Sequence, residues 1–531
     1  MKEFIYDFFS LDSKNIDKWS KDFFWPISRK KTQKILIDII DIFCRHIKKE
    51  KNLHIKNCLI AYHHFNNPYV IIFNYLLLKD KINNSKYKIK YSNRSKVMRY
   101  LYDENLNFPI EPECFINKNK EESIYKLLKN KFRTFLFNFS KKSFIPDKKN
   151  LAINQEGILK QDFFKSFNQW LNITSVERLK KDYKTEKIDK NLEVAINIIN
   201  QECIKYSKHK LKIEIPQKIK DDILDFQKTY FTNINSLLLS LYKNKELKNT
   251  KKFFVASAKT IYRAISLVIK KNGGSVYGFP HGSWICHSFS KRPIYEEFFI
   301  YDYFCIYNNS QKILFDDYKK KKRLGNSIEF ISQKSNIFDK YKSQYNFKLP
   351  SKIKTVMILE NQLWSDDIRF ELPETMIIYE FYYHLCSLLS SYGYKIYFKK
   401  RPKSNPHNFN FFKNINNIEI IKGDIMEKKN IGLADIIIFL YGLSSTFIPL
   451  ICSNKILIYF DSCWENWNPK VYKVLKKRCR IIKTFNAKGN KIRFKTSELK
   501  KSLIIPKEDI DPVFFNKFLS INQKKINFDS K

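Results

Sequence analysis

Glycine and proline are both scarce, at 11 and 16 in 531 residues, which excludes collagen-like and low-complexity chains. The ten cysteines (44, 58, 114, 203, 286, 305, 386, 452, 463 and 479) contain no C-x-x-C pair and no zinc spacing, so neither a structural zinc module nor a disulfide scaffold is indicated. Several sit inside apolar runs, as Cys58 does in NCLIAY and Cys386 in YYHLCSLL, and these read as buried free thiols of a reducing compartment. No HExxH occurs. The sole D-x-D, Asp509-Ile510-Asp511, lies near the C-terminal tail rather than at a strand end, so no metal site is expected. The N-terminal MKEFIYDFFSLDSK carries acidic residues in its apolar stretch and lacks a small-residue cleavage site, so it does not read as a signal peptide. No repeat of fixed period is found.

Acidic residues are also in deficit. There are 53 against 98 Lys+Arg, a formal net charge of +45. One reading is a polyanionic partner, nucleic acid or anionic lipid. The other is compositional, because Lys, Asn, Ile, Phe and Tyr all have AT-rich codons and the lysines are spread along the whole chain. The absence of RNP, KH, zinc-finger and helix-turn-helix signatures argues against a specific nucleic-acid partner. Peripheral contact with an anionic membrane at the inner face, from a cytoplasmic location, fits the charge. The apolar stretch 436–452, IIIFLYGLSSTFIPLIC, is near the minimum spanning length, but Gly442, Ser444, Ser445, Thr446 and Pro449 interrupt it, and strand, turn and helix explain it better.

What is present is 44% hydrophobic residues, 16% of the chain aromatic, in a chain long enough for two cores. The second half repeats one grammar: a short β-branched or aromatic run, a turn, a helical pattern, another run. That is the signature of βαβ units on parallel sheets. Strands are expected at 252–257, 275–280, 301–308, 328–332, 353–360, 394–400, 418–423, 435–442 and 455–461, with helices at 258–273, 309–321 and 373–393. The polar stretch 333–352 interrupts the grammar and reads as an interdomain linker. The expected architecture is therefore α/β, with two Rossmann-type domains facing a cleft: an acceptor-side domain over 1–345 and a nucleotide-donor domain over 346–531. NCLIAY (57–62) reads as a strand opening the first domain, and about 115–250 as a largely helical insertion.

Ligands of open α/β sheets bind beyond the carboxyl ends of the strands, and four such ends carry polar clusters. His281 follows Gly278-Phe279-Pro280 and precedes Gly282; a neutral imidazole there could accept a proton from an attacking hydroxyl. Lys399-Lys400-Arg401-Pro402-Lys403 concentrates cations that could neutralise a diphosphate. Gly442, Ser444, Ser445 and Thr446 precede a helical run and offer hydroxyls and backbone N–H groups to a phosphate. Glu360, followed by Asn361-Gln362 and Arg369, could contact the donor's base, ribose or phosphate.

A strand-end PHG, a later strand ending in a basic-Pro dipeptide, an ADIII…SS turn and KILIYFD together resemble the GT-B transferases of bacterial surface polymers over about residues 250–465. The chain is most similar by motif to CDP-glycerol glycerophosphotransferases and to capsule polysaccharide transferases, including Kdo- and sialyltransferase-like enzymes. The resemblance implies transfer from a nucleotide-sugar or CDP-polyol donor to a lipid-linked or polysaccharide acceptor, with no cofactor beyond the activated donor. It also implies that His281 is the base and that Ser444 and Ser445 contact phosphate, with Arg369 a looser match to an arginine of the donor domain. One departure matters. Those families carry Lys-x-His-Pro where this chain has Lys399-Lys400-Arg401-Pro402, and arginine binds phosphate well but does not readily donate a proton. A nucleic-acid-binding protein and an inactive GT-B scaffold are the competing readings.

Overall fold

The structure is a computed structural model. It describes residues 2–62, 67–103, 105–115, 149–153, 160, 163–164, 171–174, 176–179, 183–256, 259–280, 299–322, 328–332, 337–360, 375–400, 412–422, 428–440, 446–463, 466–505 and 510–520.

Two parallel sheets organise the chain, as expected for an α/β architecture with Rossmann-type halves. The short strands β1 (Lys2–Ile5) and β2 (Tyr87–Lys90) pair only with each other. The first large sheet is built from β3 (Asn150–Ile153), β4 (Asn172–Thr174), β5 (Lys252–Val255), β6 (Ser275–Gly278), β7 (Tyr303–Ile306) and β8 (Glu329–Ser332). Its order is β4-β3-β5-β6-β7-β8, all parallel. The second contains β9 (Thr355–Leu359), β10 (Lys395–Lys399), β11 (Ile418–Ile421), β12 (Ile436–Phe439), β13 (Ile456–Asp461), β14 (Arg480–Asn486) and β15 (Ile492–Phe494). Its order is β11-β10-β9-β12-β13-β14-β15, parallel except for the antiparallel last pair.

The central strands are buried on both faces, which is why they read as unbroken apolar runs. All four residues of β12 and all six of β13 are buried. Helices cover them with amphipathic or wholly buried faces. Thr260–Lys271 connects β5 to β6, and Thr375–Ser391 precedes β10. Each is followed by a left-handed glycine, Gly273 and Gly393, both with positive φ.

Several expectations are corrected. Residues 57–61 are not a strand but the end of the helix Leu53–Ala61, started by Asn52, whose carboxamide oxygen accepts from His54 N and Ile55 N. That helix is buried almost all round against Thr260–Lys271 and Gln217–Lys243, so its sequence shows no helical period. Residues 115–250, expected to be a largely helical insertion, do hold the helices Lys190–Tyr206 and Gln217–Lys243, but they also supply β3 and β4, two strands of the first sheet. The presumed linker contains a helix, Ile337–Gln344, packed on the helix Phe447–Cys452. β14 and β15 had no counterpart in the sequence reading.

The N-terminal segment docks on the second sheet's end of the molecule. Tyr383 Oη donates to Asp17 (2.6 Å), and Ser20 Oγ donates to Glu380 (2.9 Å), whose carboxylate is fully buried. Arg493 binds the same carboxylate through two nitrogens, at 2.7 and 2.5 Å. Trp25 N donates to Gly489 O (2.9 Å), and the Asn490 carboxamide donates back to Trp25 O (2.6 Å). Gly489 has φ +75°, and a Cβ there would stand 2.8 Å from Phe23 O, so both conformation and space demand glycine.

Among the described cysteines, Cys44, Cys58, Cys203, Cys305, Cys386, Cys452 and Cys479 are buried and free, whereas Cys114 and Cys463 are free and exposed. Burial pushes the buried thiols well above their ordinary range, so they are inert packing groups. No helix among the described residues is long and apolar enough to cross a membrane; the apolar stretch begins with β12 and ends with the six-residue helix Phe447–Cys452.

Candidate functional site

The second sheet reverses its direction of growth between β9 and β12. Strands added after β9 go first to one side (β10, β11) and then to the other (β12, β13), which makes the carboxyl ends of β9 and β12 a topological switch point. The register is fixed from the opposite edge. The carboxylate of Asp435 accepts from Lys354 N (2.8 Å), Thr355 N (2.9 Å) and Thr355 Oγ1 (2.9 Å), tying the start of β12 to the start of β9. With Ile358 paired to Ile438 and Leu359 to Lys399, the residues leaving the three strands are neighbours.

Glu360 is the first residue past β9. It is 6% exposed, and its N–H donates to Lys399 O (3.1 Å). Lys399 ends β10 at 4% exposure, and its ammonium donates to Lys400 O (2.9 Å). Successive strand residues face opposite sides, so Lys399 and Lys400 cannot both reach one ligand from a regular strand. Lys400 is half-buried, and its N–H donates to Ile421 O (3.0 Å). The run of cations thus divides: Lys399 serves the strand end, and Lys400 is the described cation nearer to solvent. Thr446 stands at the N-terminus of the helix Phe447–Cys452. At six residues that helix supplies little dipole, so any anion held there depends on hydroxyls and individual N–H groups. Arg401, Arg369, Gly442, Ser444 and Ser445 lie outside the described residues, as does His281.

The strand end leading to His281 is described up to Pro280. Phe279 N donates to Val255 O (2.9 Å), and the Phe279 ring lies 5.1 Å from that of Phe163 and 6.4 Å from that of Phe164. Gly278 permits the close approach of Tyr301, whose ring atoms would stand 2.3 Å from a Cβ at that position.

Two buried cations went unread in the sequence. Lys160, 1% exposed, donates to Ile153 O (2.5 Å) at the carboxyl end of β3, beside β5, where the first sheet reverses its own growth. Its ammonium lies 5.2 Å from the Phe164 ring centre, and burial lowers its pKa to about 7. Arg478 donates through Nε to Ile451 O (3.1 Å) and through Nη2 to Leu450 O (3.1 Å), Ser453 O (2.5 Å) and Lys455 O (3.2 Å). It satisfies the carbonyl end of the helix whose other end bears Thr446. In the sequence it is the third residue of Lys476-Lys477-Arg478, which looks like any solvated basic run. Among the described residues no three His, Cys, Asp or Glu side chains gather as a metal site.

No family model matches the chain, and no curated protein does. Among solved structures, UGT2 of Phytolacca americana, complexed with UDP-2fluoro-glucose and pterostilbene, aligns over 68% of this chain and 90% of its own, at 8% identity and a TM-score of 0.34. A likeness that distant decides nothing about chemistry.

Proposed function

We propose that the chain is a glycosyltransferase-type enzyme of GT-B organisation. In this reading it moves a sugar or polyol phosphate from a nucleotide-activated donor to a hydroxyl of a surface-polysaccharide or lipid-linked acceptor. The two halves divide near residue 345, and the second half holds the donor. His281 accepts the acceptor hydroxyl's proton as its oxygen attacks the donor and the bond to the nucleotide phosphate breaks. Lys400, Arg401 and the hydroxyls of Ser444, Ser445 and Thr446 take up the charge released on that phosphate. Glu360 and Arg369 contact the donor's remainder. The chemistry requires no metal, because cations and hydroxyls supply the electrostatic stabilisation. The strongly basic surface favours work at the inner face of an anionic membrane.

The observation that supports the reading is that Glu360 and Lys399 leave the ends of β9 and β10 side by side, next to the topological switch point between β9 and β12. Nucleotide ligands of doubly wound sheets occupy that position. Titration with CMP, CDP, UDP, GDP and ADP, followed by thermal shift without added metal, tests it. One nucleotide should raise the melting temperature of the native chain and not that of a Ser444→Ala/Ser445→Ala variant. Equal responses to every nucleotide and to pyrophosphate in both proteins would remove the donor site.

A further inference from the structure

The bodies built on the two sheets are joined on both faces of the second sheet. On one face runs the connection between them. Its helix Ile337–Gln344 packs on Phe447–Cys452, and its Phe338 meets the ring of Tyr307, just past β7 (4.7 Å). The C-terminal helix Val513–Phe518 returns on the same face. Its Phe514 lies against Phe447 (5.8 Å), it packs on Asn309–Lys322, and the Asn308 carboxamide donates to Lys517 O (3.2 Å). Phe439 meets Phe447 there (5.8 Å), and its register partner Tyr459 meets Trp467. The next residue of β13, Phe460, points to the opposite face and meets Phe381 of the helix Thr375–Ser391 (5.3 Å).

The N-terminal segment crosses on that opposite face. Both of its ends are fixed to the first body. β1 pairs with β2, Tyr6 N donates to Lys90 O (2.9 Å), and Asp7 accepts from Ser92 N (2.7 Å) and Ser95 Oγ. The helix Arg29–Lys49 buries Ile35, Ile39, Ile40 and Phe43 and packs on Pro68–Asn83 and Lys190–Tyr206. Between these anchors the helix Ile16–Asp22 packs on Thr375–Ser391. Lys491 Nζ donates to Ser20 O (2.7 Å) and Lys21 O (2.6 Å), beside the Asp17–Tyr383, Ser20–Glu380 and Trp25–Gly489 bonds.

The two attachments differ in kind. Toward the first body the segment turns aromatic rings: Trp25 lies against Phe4 (5.3 Å) and Tyr6 (6.1 Å), and Phe24 stacks on Tyr87 (5.1 Å). Toward the second it offers hydrogen bonds, with Asp17 and Lys21 exposed and Ser20, Asn490 and Lys491 half-buried. Water can take the place of such bonds, so each adds little net stability. Attachments of that kind open before a packed core does.

We infer that residues 17–25 are a releasable clasp. The connection and the C-terminal helix form the join on one face of the second sheet, and the two bodies can turn about that join only when the clasp on the other face lets go. This inference is independent of the donor reading.

The test uses the full chain and a Tyr383→Phe/Asn490→Gly/Lys491→Met variant. The variant keeps the Glu380–Arg493 pair, and glycine tolerates the positive φ of Asn490. Hydrogen exchange read by mass spectrometry should quicken at least tenfold over residues 17–25 and stay unchanged in β12 and β13. The radius of gyration from small-angle X-ray scattering should rise in the same variant. Unchanged exchange over 17–25 would overturn the inference, and so would faster exchange with an unchanged radius, because the segment would then detach without freeing the bodies. The parent alone gives a second test that does not depend on how the variant folds. In urea below the unfolding transition, exchange over 17–25 and the radius should rise together while β12 and β13 stay protected. Loss of protection in all three at one urea concentration would show that the segment opens only with global unfolding, and the clasp would be ruled out.

Discussion

Replacing Glu380 by alanine should cost the protein about 3 kcal/mol, at the lower end of what orphaning one partner of a buried ion pair costs. The carboxylate is fully buried and accepts from both terminal nitrogens of Arg493 and from Ser20 Oγ. Removing it leaves a guanidinium whose side chain is 19% exposed, so part of the charge can turn toward water, which holds the cost near the lower end. It also frees Ser20, which sits in the N-terminal segment clasped to the second half through Asp17–Tyr383 and Trp25–Gly489. Urea unfolding followed by far-UV circular dichroism reads the stability, and limited proteolysis reads release of the segment. Glu380→Leu combined with Arg493→Met should restore most of the loss, because no unpaired charge then stays inside. A cost below about 1 kcal/mol for Glu380→Ala would refute the buried-pair argument. A double variant as weak as the single one would shift the cause from charge to packing.

Lys160→Met should stabilise the protein at neutral pH. A lysine whose folded pKa is lowered to about 7 by burial penalises folding fully below that pH, and the penalty fades as pH rises toward the unfolded value of 10.5. The parent's stability relative to the methionine variant's should therefore rise between about pH 7 and 10.5; parallel profiles from chemical denaturation would contradict this. Gly278→Ala should destabilise by about 1–3 kcal/mol, because the added methyl meets the Tyr301 ring at 2.3 Å, and Tyr301→Ala in the same background should relieve the clash. Asp435→Ala should cost about 1–3 kcal/mol in urea unfolding, since two backbone N–H groups and the Thr355 hydroxyl lose their acceptor; a neutral result would mean that register at the switch point is set elsewhere.

The second half of the chain was legible because fully buried parallel strands write themselves as β-branched runs, IIIF in β12 and ILIYF in β13. The strand ends were legible for the same reason. The misses have physical causes too. β3 and β4 are four and three residues long, too short for a period. In β14, RIIKTFN, exposed and half-buried positions mix near the sheet's edge, and β15 reverses direction after the tight turn at Gly489. The helix ending at Ala61 is buried continuously from Asn57 onward, so composition mimics a strand. Lys160 and Arg478 look like the other cations of a basic chain, and only their burial against carbonyl groups separates them.

The central claim, a nucleotide-activated donor at the β9/β12 switch point, is tested most directly by calorimetric titration of the five nucleotides into the parent chain and into Ser444→Ala/Ser445→Ala, with pyrophosphate as the control. The account predicts one nucleotide bound at least tenfold more tightly than the others, with that preference abolished in the variant. Nucleotides bound no better than pyrophosphate, or a preference untouched by the loss of both serines, would contradict it.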